Sequence, residues 1–307
     1  MNQPKITILL ASRNGMPWLP KQVETILTQE GVEVTLVIGD DCSSDDTPTF
    51  LAGLAASEPR VQLRPAATPT GSAAANFYRL LSEQSLERVD YLGFADQDDE
   101  WRPGKLAAQV TALRAQGVDG ISSTVLAFDE HGHTTLVRKG FPQRRWDWVC
   151  ESPGPGSTFL LTPRLTARIQ EEVRAPESRA AEMEYHDWLS YGICRAIGWG
   201  WHIQDEPTLD YRQHAGNAMG ANVGLAAART RLAAMRTHWH RSEAQKMLDV
   251  ALRVAPVERH DELTRLRELL ASDRFAARMR LATRATQLRR RPRDQCILAT
   301  AITLGLW

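Results

Sequence analysis

Apolar and polar residues are arranged along the first part of the chain in blocks of two kinds. The first block, residues 5–12, is almost entirely apolar and rich in β-branched side chains, which is typical of a parallel strand covered on both faces. Further blocks of this kind lie at 32–39, 61–64 and 91–95. Blocks with apolar residues at helical spacing lie at 19–29, 47–57 and 73–85. Strands that alternate with helices predict a parallel sheet with helices packed on its faces.

The alternation is less regular after residue 103. We expect a helix over 104–116, a strand over 120–128 and a hairpin turn at 130–133, which makes the sheet mixed rather than purely parallel. A Gly/Pro-rich loop at 152–161 then runs into another strand. The last elements predicted before the C-terminal region are helices over 164–173 and 186–197 and a strand over 200–204.

From residue 223 onward Ala, Arg and Leu dominate, and leucines at helical spacing predict amphipathic helices. We therefore expect an α/β domain over 1–222, with a Rossmann-like sheet that is mixed but mainly parallel, and a helical region over 223–307. The composition agrees with a folded chain, because 43% of the 307 residues are hydrophobic and 24% are charged. These fractions exclude a disordered chain, a collagen and a polytopic membrane protein.

Cysteine usage and the N-terminus bear on the compartment. The four cysteines lie far apart and form no CxxC pair, so a zinc ribbon and a disulfide framework are both disfavoured. The N-terminus carries one lysine and a short apolar run that passes at once into polar residues, which fits a first strand rather than a signal peptide. We expect a protein of the reducing cytoplasm.

The total charge is balanced, but the C-terminal region is basic. Residues 223–295 hold about 17 Lys and Arg against about 8 Asp and Glu. The apolar run over 296–307 is too short to cross a bilayer. Two interpretations stay open: a helix lying on an anionic membrane, or helices that pack on the catalytic domain or on a partner subunit. No fold motif supports nucleic-acid binding.

Polar residues follow three of the predicted parallel strands. They are 12–14 after the first strand, 40–44 after the second and 96–99 after the fourth. Because ligands of open α/β sheets bind beyond the carboxyl ends of the strands, we expect these residues to form one site. The alternative is that they cap helices, which applies best to residues 43–45.

The acidic cluster at 96–99 needs more than capping, because three carboxylates within four residues repel one another unless a cation lies among them. Asp96 and Asp98 are two residues apart, which directs both side chains to one side of an extended backbone. Such oxygen ligands suit Mg²⁺ or Mn²⁺, whose remaining positions phosphate oxygens and water fill. A nucleoside diphosphate would supply those oxygens.

Six segments in this order resemble glycosyltransferase family 2, the inverting enzymes of GT-A fold. They are LLASRNG, VIGDDCSSDDT, GFADQDDEWRPGKL, GSTFLL, EYHDWL and DEPTLDYRQHAGN. The resemblance covers roughly residues 5–220, and the forms DQDDxW, HDW and YRQH resemble its rhamnosyltransferase-type bacterial branch most.

The resemblance implies a role for individual residues in nucleotide and metal binding. Asp41 matches the residue that binds the base, and Arg13 stands where many relatives have an aromatic residue. Asp98 matches the direct metal ligand. The other nucleotide-binding matches are Ala11, Gly71, Asn76 and Asp96, and the other implied metal ligands are Asp96 and His214. Asn76 has the alternative role of a packing or capping residue within its helix.

The resemblance also implies that Asp187 is the catalytic base that takes the proton of the acceptor hydroxyl. Its alternative is a first-turn acid that interacts with the helix dipole. The residues expected on the donor-sugar and acceptor side are Asp99, Trp101, Gly156, Ser157, Thr158, His186 and Arg212. For Trp101 the alternative is a packing residue.

The predicted function is inverting transfer of a sugar, with L-rhamnose as the sugar that the branch implies, from a dTDP- or UDP-linked donor to a hydroxyl. The expected acceptor is a glycan or a lipid-linked molecule in bacterial surface polysaccharide synthesis. We expect a Mn²⁺ or Mg²⁺ cofactor and a location in the cytoplasm or on the cytoplasmic face of the inner membrane. The alternatives are a sugar-phosphate nucleotidylyltransferase and a non-catalytic nucleotide-sugar-binding module. A homo-oligomer is among the open oligomeric states.

Overall fold

The computed structural model describes residues 3–214 and 238–307. Its strands are β1 (Lys5–Ser12), β2 (Glu33–Asp40), β3 (Val61–Leu63), β4 (Tyr91–Ala95), β5 (Glu100–Trp101), β6 (Gly120–Ser123), β7 (Val125–Phe128), β8 (Thr134–Val137), β9 (Leu160–Leu161), β10 (Trp201–Gln204) and β11 (Leu209–Arg212). The main sheet has the strand order β10-β6-β9-β4-β1-β2-β3. The pairs of β1 with β2 and β4, β2 with β3, and β6 with β10 are parallel, and β9 runs antiparallel to β4 and β6. This confirms the predicted mixed, mainly parallel sheet.

A second, smaller sheet has the order β5-β11-β7-β8. It corrects one prediction, because the strand expected over 120–128 divides at Thr124 into β6 in the main sheet and β7 in the small one. Thr124 is buried, and its amide donates to the carbonyl of Gln204. The expected hairpin is confirmed, since β7 and β8 are antiparallel and join through a turn around Asp129. The short strands β5 and β11 were not predicted.

The helices described are α1 (Leu19–Leu27), α2 (Thr47–Ser57), α3 (Ala73–Glu83), α4 (Lys105–Gln116), α5 (Asp147–Cys150), α6 (Pro163–Arg174), α7 (His186–Ile197), α8 (Trp239–Val254), α9 (His260–Ala271), α10 (Phe275–Ala282), α11 (Ala285–Leu288) and α12 (Pro292–Leu304). The bounds of α2 and α7 coincide with those predicted from the sequence. Local signals fix several starts: Pro lies in the first turn of α1, α2, α6 and α12, and the Ser72 hydroxyl accepts the amide of Ala75 at the start of α3.

Strand β1 lies at the centre of the sheet, and both of its faces are buried. Ile6, Ile8 and Leu10 pack into a cluster with residues of α1, α2 and α4. Leu9 and Ala11, on the opposite face, belong to a second cluster with residues of α3, α6 and α7. The near-continuous apolar run of this strand is therefore explained by helices on both faces.

The C-terminal helices share the second cluster. Leu248 of α8, Leu266 of α9 and Leu298 of α12 are buried with Trp188 of α7. The predicted boundary at residues 222 and 223 lies outside the described residues. Packing on the preceding part of the chain, one of the two interpretations of this region, is thus observed for the described helices. Within the described ranges, none of the helices is long and apolar enough to span a bilayer.

The packing of α8 on α7 gives a test of stability. A Cβ added at Gly192 of α7 would collide with the Met247 side chain of α8, whereas a Cβ at Gly53 of α2 would meet nothing. We expect Gly192→Ala to lower the free energy of unfolding by about 1–3 kcal/mol because it overpacks this contact. The matched variant Gly53→Ala should raise it by about 0.5–1 kcal/mol. Chemical denaturation measures both, and equal effects of the two variants would contradict the packing of α8 described here.

Candidate active site

The ends of β1 and β2 meet at one edge of the sheet around Asp41. The Asp41 amide donates to the carbonyl of Ser12 at 2.8 Å, and its carboxylate is buried. One carboxylate oxygen accepts the amide of Thr70 at 2.6 Å, and the Arg13 guanidinium lies 3.8 Å from the other. Ala11, in register with Gly39 of β2, forms the floor beside them. The predicted base-binding residues are therefore brought together.

The loops that follow β1 and β2 hold each other. The Ser43 hydroxyl accepts the amide of Asn14 at 2.8 Å, and the Asn14 side chain accepts the amide of Ser44 at 2.8 Å. Asp45 accepts the amide of Thr47 at 3.0 Å, as expected of a residue at the start of α2. Asp45 therefore satisfies the first amide of α2 from one residue before the N-cap, and the two serines link the loops.

Gln97 joins β4 to β1 and was not singled out from the sequence. Its side-chain oxygen accepts the Arg13 amide at 2.8 Å, and its amide group donates to the Arg13 carbonyl at 3.1 Å. A Cβ at Gly15 would lie 2.9 Å from this side-chain oxygen, so a larger residue there would displace the Gln97 side chain. Its position inside the acidic motif at 96–99 was a sequence signal that could have marked Gln97 as part of the site. Its effect is to fix the edge on which the acidic residues lie.

Gly71 and Asn76 lie at different depths. Gly71 is exposed before α3 and has a φ of +95°, a conformation that favours glycine. Asn76 is buried, donates to the Gly39 carbonyl at 2.8 Å and accepts from Arg79 at 2.9 Å. The structure thus places Asn76 in the packing of α3 on β2, which is its alternative role, and its place in the lining of a nucleotide pocket stays a prediction.

Asp98 is paired with His214 at the mouth of the acidic cluster. The Asp98 carboxylate oxygen and the imidazole Nε2 of His214 are 2.6 Å apart. The His214 ring stacks on Trp18, with ring centroids 4.1 Å apart and planes 20° apart. The Arg212 Nε donates to the Asp98 carbonyl at 3.0 Å. Trp18 was not predicted from the sequence to belong to the site. Its ring holds His214 against Asp98, the other predicted metal ligand.

Asp99 lies deeper and connects three elements. It is 1% exposed, and its carboxylate accepts the Ser157 hydroxyl at 2.7 Å and the Arg212 amide at 3.3 Å. Burial, together with the charges of Asp98 and Asp96, raises the pKa of Asp99 well above its usual range. The single helical turn Gly156–Thr158 is thereby attached to the acidic cluster. Asp99 therefore acts as a structural link between this turn and β11.

Asp96 faces both the acidic cluster and α7. Burial and the charges of Asp98 and Asp187 raise the pKa of Asp96 to about 7, and the Ser157 hydroxyl offsets part of this rise. These carboxylates repel one another, and a bound cation would relieve that repulsion.

Within residues 3–214 and 238–307, no group of three or more His, Cys, Asp or Glu side chains is arranged to hold a metal ion. The predicted set of Asp96, Asp98 and His214 is thus not gathered as three ligands, while Asp98 and His214 are in contact. A carboxylate oxygen and an imidazole nitrogen this close still suit Mn²⁺ or Mg²⁺, which take few protein ligands when phosphate oxygens complete the shell. The residues present therefore fit a divalent cation that a diphosphate helps to hold.

Asp187 is the second residue of α7 and faces Asp96. Its carboxylate accepts the Trp188 amide at 2.6 Å. Burial raises its pKa to about 6, and the Trp188 amide, the Ser152 hydroxyl and the charge of Lys139 oppose this shift. A carboxylate of this kind is ionised at neutral pH and is more basic than an exposed one. This environment suits a general base.

His186, next to Asp187, is an uncharged packing residue. Its ring lies 3.9 Å from that of Phe77 and 4.7 Å from that of Phe94, and burial lowers its pKa to about 3. A Cβ at Gly156 would collide with its imidazole. His186 therefore packs beneath the Gly156–Thr158 turn, and its low pKa makes it a weaker base than Asp187.

Trp101 and Arg212 are both held by contacts within the protein. Trp101 is 3% exposed, lies in the first core cluster and has the Lys105 ammonium 3.7 Å from its ring. This environment is that of the packing alternative given for Trp101. Arg212 forms an ion pair with Glu100 at 2.5 Å beside the acidic cluster, and its role toward a diphosphate stays a prediction.

The mixed, mainly parallel sheet with helices on both faces and a polar carboxyl edge defines a class of fold, GT-A. Solved structures of this class superpose on nearly the whole chain. A Staphylococcus aureus TarS fragment in complex with UDP-GlcNAc gives a TM-score of 0.54 at 14% identity and covers 98% of this chain and 92% of its own. A mannosyltransferase from Pyrobaculum calidifontis, in complex with GDP-Man and Mn²⁺, gives 0.54 at 16% identity and covers 100% and 81%. The expected GT-A fold is confirmed.

A family model described as Glycosyl transferase family 2 matches residues 7–167, and the chain belongs to this family. It is 32% identical to a dTDP-rhamnosyl transferase, RfbG, of Shigella flexneri over 78% of this chain and 83% of the relative. It is 25% identical to a putative teichuronic acid biosynthesis glycosyltransferase, TuaG, of Bacillus subtilis over 74% and 86%. The resemblance to family 2 and to its rhamnosyltransferase-type members is confirmed.

Proposed function

We propose that this protein transfers a single sugar, with inversion, from a nucleoside-diphosphate donor to a hydroxyl group. The observation that carries the proposal is the opposition of two acidic groups across one edge of the sheet. The Asp96–Asp99 cluster follows β4, and Asp187 lies in the first turn of α7, close enough for its charge to raise the pKa of Asp96. The Asp96–Asp99 cluster suits binding of the diphosphate with its cation, and Asp187 suits deprotonation of the attacking hydroxyl.

On this proposal the two ends of the site have separate tasks. Asp41 and Arg13 bind the base of the nucleotide, since the buried carboxylate accepts N–H donors and the guanidinium beside it offers a flat surface for stacking. The oxygen of the acceptor hydroxyl attacks the anomeric carbon from the face opposite the leaving diphosphate. Asp187 accepts the proton that this hydroxyl loses. A single displacement of this kind inverts the anomeric configuration.

Asp98 and His214 would hold the divalent cation, and Asp96 lies beside them. When bound, the cation neutralises the charge that develops on the leaving diphosphate. Trp18 keeps the imidazole stacked and directed at Asp98, so that the pair is formed before the donor arrives.

The proposed donor is a dTDP- or UDP-linked sugar, and dTDP-linked rhamnose is the first to test because of the name of the Shigella relative. The proposed acceptor is a glycan or lipid-linked hydroxyl of a surface polysaccharide. Purified protein should release nucleoside diphosphate from such a donor when Mn²⁺ and an acceptor are present, and the product should have the inverted anomeric configuration. Release of pyrophosphate from a nucleoside triphosphate and a sugar phosphate, without transfer, would contradict the proposal.

The proposed location includes contact with an anionic membrane through the C-terminal helices. Phe275, Leu304 and Leu306 are each more than two-fifths exposed, and the Arg278 guanidinium lies over the Phe275 ring. Exposed apolar side chains next to arginines suit an anionic lipid surface. Sedimentation with phosphatidylglycerol vesicles, but not with phosphatidylcholine vesicles, is the expected result, and equal recovery with both would contradict it.

The pKa of Asp187 predicts how turnover depends on pH. The base acts in its ionised form, so its protonation below the pKa of about 6 removes activity. We expect kcat to fall about tenfold per unit of pH below that value and to level off above pH 7. Initial rates at saturating donor from pH 3.5 to 8 measure this. A limb near pH 4, the range of an exposed carboxyl, would contradict the buried environment of the base.

A further inference from the structure

The segment that leads into α7 is held by side chains from two helices. The hydroxyl of Tyr78, on α3, donates to the carbonyl of Met183 at 3.0 Å. The carboxylate of Glu243, on α8, accepts the backbone amide of Glu184 at 3.0 Å. Asp187 lies three residues after Glu184, in the first turn of α7. Two consecutive residues just before the base-bearing helix are thus tied to α3 and to α8.

Both holding side chains are buried and are themselves fixed. Tyr78 is 4% exposed and Glu243 is 1% exposed. The second carboxylate oxygen of Glu243 lies 2.5 Å from the Lys246 ammonium, which also donates to the carbonyl of Glu182 at 2.9 Å. Buried polar groups linked in this way keep one geometry, because a change that leaves any of them unpaired costs free energy. The backbone of residues 182–184 is therefore restricted at each of its three residues.

The residues on either side of the base are also packed against α3 and α8. Trp239, the first residue of α8, meets the ring of Tyr185 at 5.6 Å and that of Trp188 at 6.4 Å between centroids, in both cases edge to face. The ring of His186 packs on α3. Asp187 lies within this run, and planar peptide units leave it little freedom once its neighbours are fixed. The step from the held segment to the base is therefore made by the chain itself.

We propose that Tyr78 and Glu243 are positioning residues for the base: they fix the backbone of residues 183–184 and thereby set where the Asp187 carboxylate lies. The inference deepens the proposed function and depends on it, since it takes Asp187 as the base. It gives α8, which lies beyond the residues 7–167 matched by the family model, a part in the active site. Both side chains act through the backbone and take no part in the chemistry.

The first test compares the same substitution at two buried glutamates that pair with α8. We expect Glu243→Ala to lower kcat roughly tenfold to a hundredfold with the KM for donor unchanged, because misplacement of a reacting group costs turnover and the nucleotide binds elsewhere. Glu172 of α6 accepts Nε of Arg253 at 2.7 Å, at the other end of α8, and Glu172→Ala should keep the wild-type kcat. Glu243→Gln, whose side-chain oxygen can still accept the Glu184 amide, should recover part of the loss. An equal fall of kcat in the two alanine variants would overturn the inference.

A second variant covers the case in which Glu243→Ala does not fold. Tyr78→Phe removes only the hydroxyl that donates to Met183, and it should lower kcat about threefold to tenfold, the worth of one hydrogen bond, with the KM for donor unchanged. The matched control is Tyr91→Phe, which removes a hydroxyl bonded to Arg114 Nε at 3.2 Å at the start of β4 and should keep the wild-type kcat. Wild-type kcat in either Tyr78→Phe or a folded Glu243→Ala protein would overturn the inference.

Hydrogen exchange of the substrate-free protein separates this inference from the proposed function. The Glu184 amide loses its acceptor in Glu243→Ala, so peptides that cover residues 182–188 should exchange faster in this variant than in wild type and Glu172→Ala. If Glu243→Ala does not fold, Tyr78→Phe and its control give the same comparison. If the wild-type protein transfers no sugar, the proposed function is wrong, while the exchange result still decides whether α3 and α8 hold the segment. Unchanged exchange in the folded variant would overturn the inference.

Discussion

Replacement of Asp187 by asparagine should lower kcat by about 10²- to 10⁴-fold, the range that a general base contributes. The amide has nearly the shape of the carboxylate, so the helix start survives, but its oxygen is too weakly basic to take the acceptor proton. Donor binding should be unchanged, because the proposed nucleotide contacts lie at Asp41 and Arg13, whose positions this change does not touch. Initial rates give kcat, and calorimetric titration of the donor gives its affinity.

The control for this variant is Asp261→Asn, at an exposed position in the first turn of α9. It makes the same chemical change far from the sheet edge and should leave both kcat and donor affinity at wild-type values. Turnover of the Asp187 variant within twofold of wild type would show that another group takes the proton, and the assignment of the base would be wrong.

Replacement of Asp98 by asparagine is the second large effect that we expect. It removes the carboxylate that contacts His214 and should lower kcat/KM about a hundredfold or more, because on our proposal this carboxylate holds the cation that neutralises the leaving diphosphate. Titration of Mn²⁺ in the presence of nucleoside diphosphate, followed by electron paramagnetic resonance, should show weaker binding. High Mn²⁺ concentrations should restore part of the activity.

The fold should not suffer from this change. Asp98 adds to the repulsion that raises the pKa values of Asp96 and Asp99, so its removal relieves those neighbours. We therefore expect a melting temperature equal to or above that of wild type. Undiminished Mn²⁺ affinity in the folded variant would contradict the role of Asp98, and loss of folding would contradict the account of the repulsion.

The parts of the site that the sequence predicts are those built from local signals. A buried parallel strand is a short apolar run, and the polar residue after it has to lie at the carboxyl edge. This reasoning is enough to place Asp41 and the Asp96–Asp99 cluster correctly. Asp187 needed the family resemblance, since a first-turn acid alone has an ordinary explanation at the start of a helix.

The parts that could not be predicted depend on residues far apart in sequence. Trp101 reads as an exposed aromatic residue near a sugar, yet its pairing with Leu209 in β5 and β11 draws it into the core. Neither the two-residue strand β5 nor the polar strand β11 has the apolar pattern from which a strand is predicted. The bond from the Glu184 amide to Glu243 and the stacking of Trp18 on His214 likewise leave no periodic trace in the sequence.

The direction of β9 has a consequence for how such a site can diversify. Because β9 runs antiparallel to β4, the N-terminal end of β9 lies at the carboxyl end of β4. The segment 151–158, which precedes β9, therefore lies at the same edge of the sheet as the catalytic residues. Residues can be inserted into this segment without shifting the register of the parallel strands that carry Asp41 and Asp96. The fold thus allows the side of the cleft formed by residues 151–158 to change for new partners, while the side formed by the parallel strands stays the same.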